Sequence, residues 1–154
     1  DEVDIEYRFV PIFGAAKSVI EKNWKELGGA AGFNSKLQSM AEDWPHISLS
    51  RDLWTSVAPE SSTSPHLYLK AIEMLTTDEH SGREPIENTT RENETRENAV
   101  WEDAIWTFRK AFFSDARDIS NRQVQDEIAL SLGLSVKDIH SLIDNVKDYS
   151  ALEL

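Results

Sequence analysis

The residues able to carry chemistry are few, and their spacing limits what they permit. Four histidines, His46, His66, His80 and His140, are spread through the 154 residues. None sits in the His-Glu-x-x-His pattern that sets two imidazoles on one helix face around a zinc ion. His66 falls near the start of a predicted helix. An imidazole there can serve as acid or base or polarise a bound group, but local packing or capping is its simpler role. His140 falls between core positions of another helix and reads as a surface residue. Hydroxyls cluster in Ser61-Ser62-Thr63-Ser64. No Gly-x-Ser-x-Gly turn surrounds them, so they read as a loop and a helix cap. Gly28, Gly29 and Gly32 follow a helix, whereas a dinucleotide-binding loop follows a strand. The carboxylates lack calcium-loop spacing, and the five tryptophans, at helical spacing, read as core. Cysteine is absent, which removes disulfides, thiolate metal sites and thiol nucleophiles from this chain. The expectation is therefore no catalytic residue, no metal and no cofactor.

Charge narrows the partners. The formal net charge is −12, which repels phosphate backbones and anionic lipid surfaces alike, so neither nucleic acid nor membrane is expected. No apolar run approaches the roughly 20 residues of a membrane span. The first residues, DEVDIEYR, lack the basic start and apolar run of a signal peptide, and this favours a cytoplasmic placement. The triplets Asn88-Thr89-Thr90 and Asn93-Glu94-Thr95 are formal glycosylation acceptors inside a biased polar segment, where such triplets arise by chance.

The elements that would position these side chains are mainly helical. Val3, Ile5, Tyr7 and Phe9 alternate with charged residues and predict one half-buried strand, ended by Pro11. A lone strand cannot satisfy its own backbone groups. Its open edge predicts pairing with another sheet or, in a homodimer, with a second copy through residues 3–10. Helices are predicted over 15–27, stopped by Gly28-Gly29, and over 35–43, stopped before Pro45. Residues 51–57 read as one or two helical turns. The helix over 64–75 is apolar around most of its girth, with His66, Lys70 and Glu73 as one polar stripe, so other helices should enclose it. Ser64 is its predicted N-cap, with Pro65 in the first turn. Residues 78–98 hold Ile86 as their only large apolar side chain and repeat Thr-Arg-Glu-Asn at 90–93 and 95–98. They read as an exposed polar segment leading into the next helix. That helix, over 97–113, carries Trp101, Ala104, Ile105, Phe108 and Phe112 as its buried stripe, widened by Trp106 and Phe113. Ser120 with Gln123, and Ser135 with Asp138, form capping boxes for two further helices. Val124, Ile128 and Ala129 face inward from the first. Val136, Ile139, Leu142, Ile143, Val146 and Tyr149 do so from the second. The fold class is mainly α: about six helices with one N-terminal β-strand. Residues 1–14 form a strand and exit loop, and residues 15–154 a helical domain.

Three stretches, in this order, resemble the DsbA-like branch of the thioredoxin superfamily, which includes FrnE-type and 2-hydroxychromene-2-carboxylate isomerase-like proteins. The first is Val3-Asp4-Ile5-Glu6-Tyr7-Arg8-Phe9-Val10-Pro11-Ile12-Phe13-Gly14. It is similar to the family's second thioredoxin strand and its exit loop. The second, Ser61-Ser62-Thr63-Ser64-Pro65-His66-Leu67-Tyr68-Leu69-Lys70-Ala71, resembles the central helix of the family's helical insertion. The third runs from Phe108-Arg109-Lys110-Ala111-Phe112-Phe113 through Asp118-Ile119-Ser120-Asn121-Arg122-Gln123-Val124 to Ile128-Ala129-Leu130-Ser131-Leu132-Gly133-Leu134. The family's Cys-x-x-Cys would precede Asp1 and its cis-proline loop would follow Leu154. The resemblance therefore implies the helical insertion of such a protein with one strand of its frame. It further implies that Pro11, Phe13, Ser64 and His66 line a groove for a protein or peptide substrate, and that this chain is not redox-active alone. Two alternatives stay open: a stand-alone helical interaction protein, and a fragment of a glutathione-dependent isomerase of the same superfamily.

Overall fold

Glycines and prolines punctuate the chain where the helices start and stop. The computed structural model describes residue 8, residues 14–76 and residues 91–144, with backbone alone over 91–98. Among these residues are six α-helices: α1 (Ala16–Asn23), α2 (Gly29–Ala41), α3 (Thr63–Thr76), α4 (Arg91–Phe113), α5 (Arg122–Ser131) and α6 (Val136–Asp144). A short 3₁₀ turn, Lys25–Leu27, follows α1. No sheet is present among the described residues, whose one β-bridge joins Leu53 to Val57. The expected strand over residues 3–10 lies outside the described residues apart from Arg8.

The core belongs to α3–α6. Tyr68, Leu69, Ala71 and Ile72 of α3 meet Trp101, Ala104, Ile105, Phe108 and Ala111 of α4, Ile128 and Ala129 of α5, and Ile139 of α6. Helix α3 packs against both α4 and α6. Its buried face is narrower than its composition suggests: Pro65, Tyr68, Leu69, Ile72 and Thr76 are buried, while Leu75 is exposed. On the polar stripe Lys70 pairs with Glu73 at 2.9 Å. Trp101, Ala104, Ile105, Phe108 and Phe112 are buried as their periodicity predicts. Trp106 and Phe113 are not: they stand 61% and 41% exposed. The guanidinium of Arg109 covers the Trp106 ring at 5.4 Å, which lowers the cost of leaving an indole in water.

Several boundaries move. Helix α1 ends at Asn23, and Leu27, expected on the buried stripe, is 65% exposed because the 3₁₀ turn rotates it off that face. Helix α2 begins at Gly29, six residues before the expected start. Gly28 makes the turn between them at φ +93, a left-handed conformation open to glycine. Gly32 is required for a different reason. A Cβ there would overlap the backbone carbonyl of Leu27, so the helix start and the preceding turn touch backbone to backbone. That explains the Gly-Gly-x-x-Gly spacing without any nucleotide. Helix α4 begins at Arg91, inside the polar segment. Glu and Arg are good helix formers, and elongation from the amphipathic half adds one hydrogen bond per residue fixed.

The N-terminal layer is held differently. Helices α1 and α2 pack on each other. A chain of edge-to-face rings runs from Trp24 to Phe33 (5.1 Å), Phe33 to Trp54 (5.6 Å) and Trp54 to Phe112 (5.3 Å), linking this layer to α4. Buried Asn34 donates through Nδ2 to the Arg51 carbonyl at 2.6 Å, and Gln38 Nε2 donates to the Ser50 carbonyl at 2.8 Å. These bonds fix residues 50–51 against α2. The Ser50 amide donates in turn to the Phe113 carbonyl at 2.7 Å.

Candidate functional site

The groove residues expected from the resemblance fall into two groups. Pro11 and Phe13 lie outside the described residues. Ser64 and His66 stand in the first turn of α3. Ser64 is not the cap: the helix begins at Thr63, whose amide is accepted by Ser61 Oγ at 3.0 Å. The Ser64 hydroxyl instead joins two helices. It donates to the Ser120 carbonyl at 3.2 Å and accepts from Gln125 Nε2 at 2.9 Å. Gln125 is fully buried and donates also to the Ile119 carbonyl at 2.8 Å. Its Oε1 has no hydrogen-bond partner among the described residues. Its position next to the inward-facing Val124 gave no sign of burial, because amides are ordinarily exposed.

The start of α5 is shifted by one residue from the expected capping box. Asn121 is the N-cap and accepts from the Gln123 amide at 2.9 Å. Ser120 turns back to Asp118, whose Oδ1 accepts from its amide at 3.0 Å and its hydroxyl at 2.6 Å. The Ser135 cap stands as expected: the Asp138 amide donates to Ser135 Oγ at 3.3 Å.

A second polar cluster was missed in the sequence. Tyr68 of α3, fully buried, donates its hydroxyl to Asp126 Oδ1 of α5 at 2.8 Å. His140 of α6 bonds the same oxygen through Nε2, also at 2.8 Å. The expected surface histidine thus helps bind three helices together, and the pair becomes an ion pair when the imidazole is protonated. Arg122 covers the Tyr68 ring at 5.5 Å. Burial raises the Tyr68 hydroxyl above its ordinary pKa, and the Asp126 hydrogen bond and charge raise it further, against a smaller opposing pull from Arg122. A phenol held neutral in this way is a structural donor, not a base at neutral pH. The only sequence signal was Asp126 and His140 in separate helices, a pairing that periodicity cannot reveal. His66, half-buried, is held below its ordinary pKa by burial. Its neutral form is therefore favoured.

A cleft opens on the other side of the N-terminal layer. It measures about 330 Å³ and lies between α1 and the turn at 52–58, with Asp118 at one edge. Trp54 holds the turn at φ +62, in the left-handed region a bulky residue rarely adopts, at a cost of about 1–3 kcal/mol. The ring contacts with Phe33 and Phe112 keep it there. Among the described residues no three His, Cys, Asp or Glu side chains converge as a metal site. No described helix is long and apolar enough to cross a membrane.

Comparison of the chain with models of protein families, with curated proteins and with solved structures found no match.

Proposed function

We propose that this chain is the helical domain of a DsbA-like thiol–disulfide oxidoreductase, which caps the substrate cleft and shapes its surface while the redox cysteines lie elsewhere in the protein. One observation supports this reading above the others. Two of the stretches that carry the resemblance, Ser61–Ala71 and Asp118–Val124, are far apart in sequence, yet Ser64 bonds directly to Ser120 and to the adjoining Gln125. In the family resembled, both stretches belong to one helical insertion, and the contact is consistent with that placement. A chain without cysteine has no thiolate to attack a disulfide, so its part is positioning and recognition. Ser64 and His66 would border the groove from the first turn of α3, with Pro11 and Phe13 nearer the cysteines.

Sequencing the gene beyond both ends of this chain tests the reading. The expected result is a Cys-x-x-Cys shortly before Asp1 and a proline-bearing strand entry after Leu154. Their absence would overturn it. The 154-residue chain alone should leave insulin disulfides intact in a reduction assay, and turnover by it would contradict the assigned division of labour.

A second reading has its own support. Met40, Trp44 and Ile47 stand 46–56% exposed around the end of α2 and the following turn. Exposed apolar side chains of this size suit a helical interaction module. This reading gains if no cysteine pair is found and the intact chain retains a partner in pull-down.

A further inference from the structure

We propose that the cleft between α1 and the 52–58 turn binds a small zwitterion with an apolar side chain, the simplest being a free apolar α-amino acid. The cleft is about 330 Å³, at the lower end of the range for small-molecule sites. Ile20, Trp54 and Val57 supply the apolar part of a mostly polar lining. Lys17 and Glu21 supply both signs of charge from one helix. They stand four residues apart, with lysine on the N-terminal side, which is the weaker order for pairing. Neither takes part in an ion pair of the described residues. Both charges are therefore available to a ligand. Asp118, at the edge, commits Oδ1 to Ser120 and has no described hydrogen bond at its other oxygen.

The charge balance selects the ligand class. The chain's net charge of −12 disfavours a simple anion. A simple amine would meet Glu21 and Asp118 but also the Lys17 ammonium. A zwitterion matches both: carboxylate toward Lys17, ammonium toward Glu21 and Asp118, side chain against Ile20 and Val57.

The turn is prepared for this. Trp54 donates its amide to the Val57 carbonyl at 2.7 Å, and the Ser56 and Val57 amides both donate to the Asp52 carbonyl, at 3.0 and 3.1 Å. Thr55 Oγ1 donates to the same carbonyl at 3.2 Å and keeps its lone pairs for a ligand. The backbone at Thr55 and Ser56, which line the cleft, is thus fixed before any ligand arrives, and the ordering cost at binding falls on the exposed side chains of Lys17 and Glu21. Trp54 holds its left-handed backbone conformation within this turn. The cleft and its ligand chemistry stand apart from the oxidoreductase reading.

Titration of the isotope-labelled 154-residue chain with leucine, followed by amide NMR, tests the proposal. 4-Methylpentanoic acid and 3-methylbutylamine, which each keep one charged end, are titrated alongside. Leucine should shift the Lys17, Thr55 and Ser56 resonances saturably. Each single-ended analogue should bind at least about tenfold more weakly, as expected for loss of one charge-assisted hydrogen bond. Lys17→Gln, on an exposed side chain, should weaken leucine by a similar factor while the rest of the spectrum stays in place. Glu21→Gln provides the same readout should Lys17→Gln disturb the fold. Unmoved cleft resonances at millimolar leucine, analogues that match leucine, or charge-neutral variants that bind as well as the parent would each overturn it.

Discussion

Helices α3–α6 share a continuous apolar core, whereas α1, α2 and the chain at 44–58 are joined by ring edges and by side chains that bond to backbone. In the first region burial does the work. Each fully buried Leu, Ile or Phe contributes about 1.5–3 kcal/mol relative to exposure, and the helices need only present one face. In the second region few side chains are buried: Ala16 and Ile20 of α1, Asn34 of α2 and Leu53 of the turn. Position there depends on a small number of directed contacts, on a left-handed tryptophan and on a glycine with no room for a methyl group. A bundle of the first kind tolerates variation in detail. An assembly of the second kind does not, but it can hold a turn in a conformation that a simple core would not impose. The cleft lies in the second region, and Ser64 and His66 stand in the first turn of α3.

The largest effect should come from the core itself. Phe108→Ala, at a side chain 1% exposed, should cost about 3–5 kcal/mol in urea denaturation and lower the stability of the whole molecule. Gly32→Ala comes next. The added methyl must displace the Leu27 carbonyl, at a cost of about 1–3 kcal/mol. The comparison places that damage in α1 and α2, so amide shifts in α3–α6 should stay near those of the parent. Damage spread through the bundle would show that the two regions are one cooperative unit.

Two smaller effects depend on pH. Tyr68 keeps its proton more tightly when folded than in the unfolded chain, where it ionises near 10.0. Stability from this group is complete below that pH and is lost as pH rises above it. Tyr68→Phe should remove this alkaline component and cost about 1–2 kcal/mol at neutral pH through the lost bond to Asp126. His66 acts at the other end. Burial lowers its pKa, so the unfolded chain takes up a proton near 6.5 before the folded one does, and stability falls as pH drops below that value. His66→Gln should make the acid limb of the stability profile shallower. An unchanged limb would place His66 in contact with water. Both residues belong to α3, so the two measurements also report how far this helix is shielded.

The same contrast decides what could be read in the residues. The α4 stripe was legible because Trp101, Ala104, Ile105, Phe108 and Phe112 repeat at helical spacing against a large core, and such a pattern has one physical meaning. Ile128, Ala129 and Ile139 were legible for the same reason. Trp106 and Phe113 were misplaced because hydrophobicity alone does not say which side of the stripe a flanking ring takes. The start of α2 was missed since Gly28 and Gly29 serve equally well as a stop and as a left-handed entry. At the candidate site, Ser64 and His66 were located on the right turn of the right helix, but the hydroxyl's role depends on Ser120 and Gln125, more than fifty residues away. The Tyr68–Asp126–His140 junction and the Trp54 turn depend wholly on tertiary placement, which no local period encodes.

Native-state hydrogen exchange tests the distinction between the two regions most directly, since it gives an opening free energy for each amide. The α1 and α2 amides should exchange through a partial opening that leaves α3–α6 closed, at a free energy clearly below that of global unfolding. Protected amides in both regions that share one opening free energy and one denaturant dependence would contradict the account.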